Sequence, residues 1–342
     1  MTFMTHDRVL LTGASGFIAK HILKRLLEEG YAVRGTVRSP AKADEVRKAM
    51  IEAGVSVDRL EMAGADLTRD AGWGEILRDC RYVIHCASPF PSFQPKDKFG
   101  LVPIARDGTL RVLKAAKEAG AERIVLTSSV VAVYVGHGKR ENRTFTEADW
   151  SDVDGEGAYP YAVSKTLAEK AAWAFSSDNG LELATVNPAF VLGPMVDGVR
   201  GTSLDLLHNM MRGRLLAVPD AAFGVVDIRD VADAHLRAMT VDAAKDRRFL
   251  LSGGTRSLRE MGAAIAREMP ELSRRMPRFT LPDWLVRSAG LLSRQVSPIV
   301  PELGKRKTFD TSPARDVLGL RLRDADEAIV AAARSLGEER TA

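Results

Sequence analysis

Two rhythms alternate along the first half of the chain. Short apolar or β-branched runs, RVLLTG (8–13), AVRGTVR (32–38), RLEMAGAD (59–66), YVIHCA (82–87), RIVLTSS (123–129) and LELATVNP (181–188), have the length and composition of strands. Between them the apolar positions stretch to a helical period, most clearly over 17–29, 42–53, 108–119 and 162–176. Strand, helix, strand repetition builds a parallel sheet covered by helices on both faces.

After Pro188 this order loosens. The loops of VLGPMVDGVRG are followed by a helical stretch near 227–239, a strand in RRFLLSG and a closing helix ending in AIVAAARSL. The predicted fold class is therefore α/β, a Rossmann-type doubly wound parallel sheet with a smaller, mainly helical C-terminal substrate lobe. Residues 1–188 are expected to form the dinucleotide-binding domain, with 225–253 returning to it, and residues 189–224 and 254–342 to form the lobe. No internal repeat or low-complexity tract interrupts the 342 residues.

The first strand hands over to the first helix through LTGASGFIAKHI, where Gly13, Gly16 and Ala19 stand three apart. A helix N-terminus offers unpaired N–H groups and a partial positive charge, which suits a pyrophosphate. Gly13 permits the tight turn, Gly16 lets the backbone approach the phosphates, and Ala19 lets helix and strand lie close. Gly13, Ser15, Gly16, Phe17 and Ile18 are the cofactor contacts expected here. The second strand ends in Arg38, with Ser39 and Lys42 after it and no carboxylate before Asp44. A ribose 2′-phosphate gains charge-assisted hydrogen bonds beside Arg38, with Lys42 one turn on, so NADPH is predicted over NADH.

Composition changes this picture little. The chain is 45% hydrophobic and 27% charged with a net charge of +4, and its Lys and Arg are scattered among Asp and Glu rather than gathered in a run. Nucleic-acid binding is therefore not expected. Cys80 and Cys86 have no Cys/His partners at zinc-ligand spacing, so no metal is expected, His85 and Cys86 included. The start MTFMTHDRVL carries no apolar stretch of signal-peptide length, and 281–303 is broken by Arg287, Arg294 and three prolines. A cytoplasmic protein without membrane association is expected.

YPYAVSKTLAEK places Tyr161 and Lys165 one turn apart on one helix face. The pair follows the exit of the fifth strand, where Ser128 and Ser129 stand at the carboxyl end of the sheet. Hydride reduction of a carbonyl leaves charge on oxygen that a tyrosine can quench, provided its anion is then stabilised. Lowering a tyrosine pKa by about three units is worth roughly 4 kcal/mol. One ammonium about 4 Å away supplies about that much at an effective dielectric near 20.

With these residues in view the chain resembles the extended short-chain dehydrogenase/reductase superfamily. The ordered motifs TGASGFIA, VRGTVRS, HCASPF, LTSS, YAVSK, VNPAFVLGP and DIRDVADAH resemble most its dihydroflavonol reductase, cinnamoyl-CoA reductase and yeast methylglyoxal reductase branch. The resemblance implies Tyr161 as the acid/base, Lys165 as the group that holds the nicotinamide ribose and lowers the tyrosine pKa, and Ser129, rather than Ser128, as the carbonyl's hydrogen-bond donor. It places Asp66 and Leu67 at the adenine, Ala87 and Ser88 at a ribose, Pro188 beside the nicotinamide and Ser203 near the pyrophosphate.

The chain also departs from parts of that branch. The approach EGAYPYAVSK lacks the Asn-Trp-Tyr run of plant cinnamoyl-CoA reductases, which argues against a CoA thioester. Val130, Val131, Ala132 and Val133 replace the polar residue with which plant dihydroflavonol reductases grip a flavonoid. Dehydratases of the superfamily carry Thr-Asp-Glu where this chain has Thr127-Ser128-Ser129, so elimination lacks its acid and base. Phe90, Phe93, Val130, Phe190, Val191 and Leu192 are the expected apolar lining, which favours a hydrophobic aldehyde or ketone. Three alternatives stand beside that reading: oxidation of a hydroxysteroid-like or other secondary alcohol, nucleotide-sugar epimerisation or dehydration, and a non-catalytic NADP-binding regulator. The expected assembly is a monomer or homodimer.

Overall fold

The computed structural model describes residues 7–88, 95–138, 142–198, 201–293 and 296–338. Seven strands run parallel: β1 (Arg8–Thr12), β2 (Ala32–Val37), β3 (Leu60–Gly64), β4 (Cys80–His85), β5 (Arg123–Thr127), β6 (Glu182–Pro188) and, much later, β9 (Arg247–Leu251). Their order across the sheet is β9-β6-β5-β4-β1-β2-β3. The order reverses at β1, which lies between β2 and β4, and that switch point opens a crevice at the carboxyl ends of the strands.

Buried on both faces, the central strands divide their side chains between two layers. Val9 and Leu11 of β1 enter one apolar cluster with Ile22, Leu23 and Leu26 of α1 (Phe17–Glu28), while Leu10 enters the other with Val112 and Leu113 of α3 (Gly108–Glu118). This is the period of two expected of a strand covered on both sides. On α1 the buried apolar positions Ala19, Ile22, Leu23 and Leu26 fall at helical spacing on one face. The helix α2 (Pro40–Glu52) follows β2, and α4 (Pro160–Asn179) runs from the site into the layer of α3.

A second, smaller sheet of β10 (Gly254–Ser257), β8 (Ala222–Asp227) and β7 (Phe190–Leu192) belongs to the lobe. Its core joins Leu204, Leu207 and Met210 of α5 (Thr202–Met211) to Met261 and Ile265 of α7 (Leu258–Glu268) and to Ile329 and Leu336 of α8 (Ala325–Glu338). Within 225–253, α6 (Ile228–Thr240) packs on α1 and β9 completes the main sheet, while β8 pairs within the small one. Among the described residues no helix is long and apolar enough to cross a membrane.

Candidate active site

The turn from β1 into α1 has the geometry its glycines allow. Gly13 has φ +69°, in the left-handed region, and a Cβ there would meet the Ala87 backbone at 3.0 Å. Ala87 is held in place by its N–H, which donates to the Thr12 hydroxyl at 3.0 Å. Gly16 caps α1 with no side-chain hydrogen bond, and the first turn carries no acidic residue. The orphan N–H groups of this helix end therefore face outward with their partial positive charge unopposed. A cradle closed to side chains beside an uncapped helix N-terminus fits a dinucleotide pyrophosphate.

A second uncapped helix end approaches from the lobe. Gly201 precedes α5 without a side-chain cap, and a Cβ on it would lie 3.3 Å from Phe17. Gly201, Thr202 and Ser203 line the same cavity of about 570 Å³ as Gly13, Gly16, Phe17 and Ile18. The loop leading to α5 is tied to α1 twice, by an ion pair between Lys20 and Asp197 and by His21 Nε2, 3.0 Å from the Pro194 carbonyl. Ser203 is the residue that the resemblance places near the pyrophosphate, and it lines this cavity; Thr202 and Gly201 beside it were not apparent from sequence.

At the carboxyl end of β5 the cavity is lined by Ser129, Val130 and Val131, with Tyr161 and Lys165 reaching it from α4 and Cys86 and Ser88 from the end of β4. Tyr161 and Ser129 share a side-chain hydrogen bond. Ser129 Oγ also lies 3.5 Å from the Pro188 carbonyl and accepts from the Val131 N–H at 3.3 Å. Lys165 Nζ donates to the Thr127 carbonyl at 3.1 Å. Burial pushes the Tyr161 phenol up to about 12, against the pull of Ser129. Burial likewise brings the Lys165 ammonium down to about 8, with Cys86 and Glu169 acting the other way. The site thus holds a protonated phenol and, one helical turn on, an amine that titrates within the biological range; the expected lowering of the tyrosine pKa by Lys165 is not seen, because burial dominates at the phenol and the ammonium is engaged by the Thr127 carbonyl.

The rest of the lining is largely apolar. Phe190 and Val191 lie in the wall, and the Phe190 ring sits 5.8 Å from that of Phe223. Leu192 instead packs fully buried in the second core. Phe90 and Phe93 lie outside the described residues. Tyr134, one residue past the valine run, brings a phenol into the same wall, and Glu302 and Lys307 join it from the far end of the chain.

The remaining sequence candidates are not among the residues that line this cavity. Ser15 sits in the glycine turn and Pro188 ends β6 beneath Ser129. Arg38 is exposed at the end of β2, where its charge acts on Asp66 together with that of Arg69. Asp66 accepts from both the N–H and the hydroxyl of Thr68 at 2.8 Å, which holds its carboxyl below the usual range. Leu67 packs under Gly108, and Lys42 pairs with Glu45 at 2.6 Å. Among the described residues no group of His, Cys, Asp or Glu could hold a metal ion.

Known proteins resemble this chain in family and fold. The NAD dependent epimerase/dehydratase family matches residues 9–251. Cinnamoyl-CoA reductase CAD2 of Medicago truncatula is 36% identical over 273 residues, covering 77% of this chain and 82% of that protein. Dihydroflavonol 4-reductase of Zea mays is 31% identical over 273 residues, covering 77% and 74%. Among solved structures, yeast methylglyoxal/isovaleraldehyde reductase Gre2 complexed with NADPH superposes with a TM-score of 0.80 at 28% identity, covering 98% of this chain and 99% of that one. The chain therefore belongs to the NAD dependent epimerase/dehydratase family, the extended short-chain dehydrogenases/reductases, and is an NAD(P)-dependent oxidoreductase.

Proposed function

We propose that this protein reduces a hydrophobic aldehyde or ketone to the alcohol at the expense of NADPH, with Tyr161 as proton donor. The observation that carries the reading is the meeting of Tyr161, Ser129 and Lys165 in one largely apolar cavity that also contains the glycine turn. When bound, the dinucleotide supplies the hydride for the carbonyl carbon. The chain's own groups handle the oxygen. Ser129 donates a hydrogen bond to the carbonyl, and Tyr161 Oη gives up its proton as negative charge develops there. The resulting phenolate is held by the Lys165 ammonium, whose charge also suits it to grip a ribose.

The raised Tyr161 pKa supports its role as proton donor in reduction. A phenol at about 12 begins the reaction protonated at neutral pH, as a donor must, whereas alcohol oxidation needs the phenolate. Arg38, exposed at the end of β2, supports NADPH because a 2′-phosphate beside it would form a charge-assisted contact. The relative solved with NADPH is in keeping with that choice.

NADPH oxidation measured with aromatic aldehydes, diketones and ketoesters tests the reading. Turnover by the wild type and its loss in Tyr161→Phe, with NADPH binding retained, are the expected results. Unchanged turnover in Tyr161→Phe would overturn the proton-transfer role.

A further inference from the structure

One part of the cavity wall, outside the glycine turn and α4, is charged. Glu302 and Lys307 both line it, each only 3% exposed, and they form an ion pair. Glu302 Oε1 accepts a hydrogen bond from Tyr134 Oη at 3.1 Å, and the Lys307 ammonium lies 4.3 Å from the centre of the Tyr134 ring. The Thr255 hydroxyl donates to the Lys307 carbonyl, fixing the segment that carries the ammonium. Neighbours in the same wall, Val131, Ile299 and Phe309, are apolar.

Stability alone does not call for such a pair. Two buried charges lose most of their hydration, and well-packed apolar residues of similar volume serve a core as well or better. At a cavity wall, however, the pair presents a recognisable chemistry. A carboxylate offers about four acceptor sites, and Tyr134 and Lys307 account for two at Glu302. The pair is neutral overall. Lys307 repels a second cation and Glu302 repels an anion, so the group such a wall recognises is an uncharged hydrogen-bond donor.

We infer that the Glu302–Lys307 pair is a specificity site for a hydroxyl, and that the substrate class is a carbonyl compound carrying an alcoholic or phenolic hydroxyl remote from the carbonyl. The inference rests on the reductase reading of Tyr161 and narrows its substrate. The discrimination is moderate in size. Because the two charges already satisfy each other, a substrate without the hydroxyl strands neither, and selectivity falls well short of the roughly ten-thousand-fold rejection seen where a site's polar groups are left unpaired.

The test compares a hydroxyphenyl butanone with its methylphenyl and carboxyphenyl analogues, using wild type, Glu302→Leu and the double variant Glu302→Leu/Lys307→Met, both of which remove the acceptor. The double variant removes both charges together and so avoids leaving one buried without its partner. Wild type should favour the hydroxyphenyl ketone by at least about tenfold in kcat/KM, mostly through KM, and the ratio should approach one in both variants. Equal wild-type efficiencies, a preference for the carboxyphenyl ketone, or a ratio unchanged in the variants would overturn the inference. Calorimetric binding of the corresponding alcohols to the NADP-loaded wild type reads the same preference without turnover. Absence of reduction with all three ketones therefore counts against the reductase reading, while equal binding counts against the hydroxyl site.

Discussion

Ser128 and Ser129 are neighbours in sequence and both border the cavity, but their hydroxyls bond to different partners. Ser128 Oγ donates to Glu169 at 2.5 Å inside the core, where Glu169 also meets Arg248 at 2.7 Å and Asn187 at 2.8 Å. Ser129 shares its hydrogen bond with Tyr161 at the cavity. The two hydroxyls are thus expected to fail differently. Ser129→Ala should lower kcat by about a hundred-fold or more with little change in unfolding midpoint. Ser128→Ala removes a donor from a buried carboxylate and should cost about 1–3 kcal/mol in denaturant unfolding.

The pH dependence follows from Tyr161 and Lys165. With the phenol near 12, the proton donor stays loaded across the neutral range. Lys165 is charged below about 8 and neutral above, so kcat/KM for carbonyl reduction should be flat at lower pH and fall as pH rises through 8. Alcohol oxidation should instead improve toward alkaline pH, since its base is the phenolate. Rate profiles in both directions check this, and a reduction rate that climbs between pH 8 and 9 would contradict the assignment of the ammonium.

Cofactor choice is expected to rest on Arg38 far more than on Lys42. Arg38 stands exposed at the strand end, while Lys42 is already paired with Glu45. Arg38→Ala should weaken NADPH roughly tenfold or more and leave NADH nearly unaffected, the size expected for one lost charge-assisted contact. Titration of each variant with both dinucleotides measures the difference.

These expectations show which parts of the molecule could be read in advance. The sheet was legible because its central strands are buried on both faces and so form apolar runs, as in Val9-Leu10-Leu11, although the edge strand β3 is partly open to solvent. The glycine turn was legible because φ +69° at Gly13 with Ala87 packed against it leaves room for no other residue. Tyr134, Glu302 and Lys307 were not legible. Glu302 lies 168 positions from the tyrosine it contacts, in a stretch without periodicity, and only the packing of the lobe brings them together. Tyr134 itself closes a run of valines that reads as apolar wall. Leu192 was misplaced for a related reason, since an apolar residue after β6 suits either a lining or the second core, and the strand it occupies turns it into the latter.

Acid should destabilise the fold through three histidines. Burial holds His85 down to about 3 and His21 and His235 down to about 4. Each stays neutral in the folded chain while the unfolded chain protonates below about 6.5, so stability is present above that value and is lost as pH falls toward the folded values. The loss is about 1.4 kcal/mol per pH unit for each histidine. Thermal unfolding between pH 7 and 4 should show a steep decline, shallower in His235→Gln.

The two uncapped helix ends at Gly16 and Gly201 come from segments nearly two hundred residues apart, one in each lobe. A fragment ending at Pro188 would keep the whole glycine turn and lack the Gly201–Ser203 part of the same cavity. On the proposed reading, dinucleotide affinity depends on the assembled tertiary structure, and unfolding the lobe by itself should weaken it.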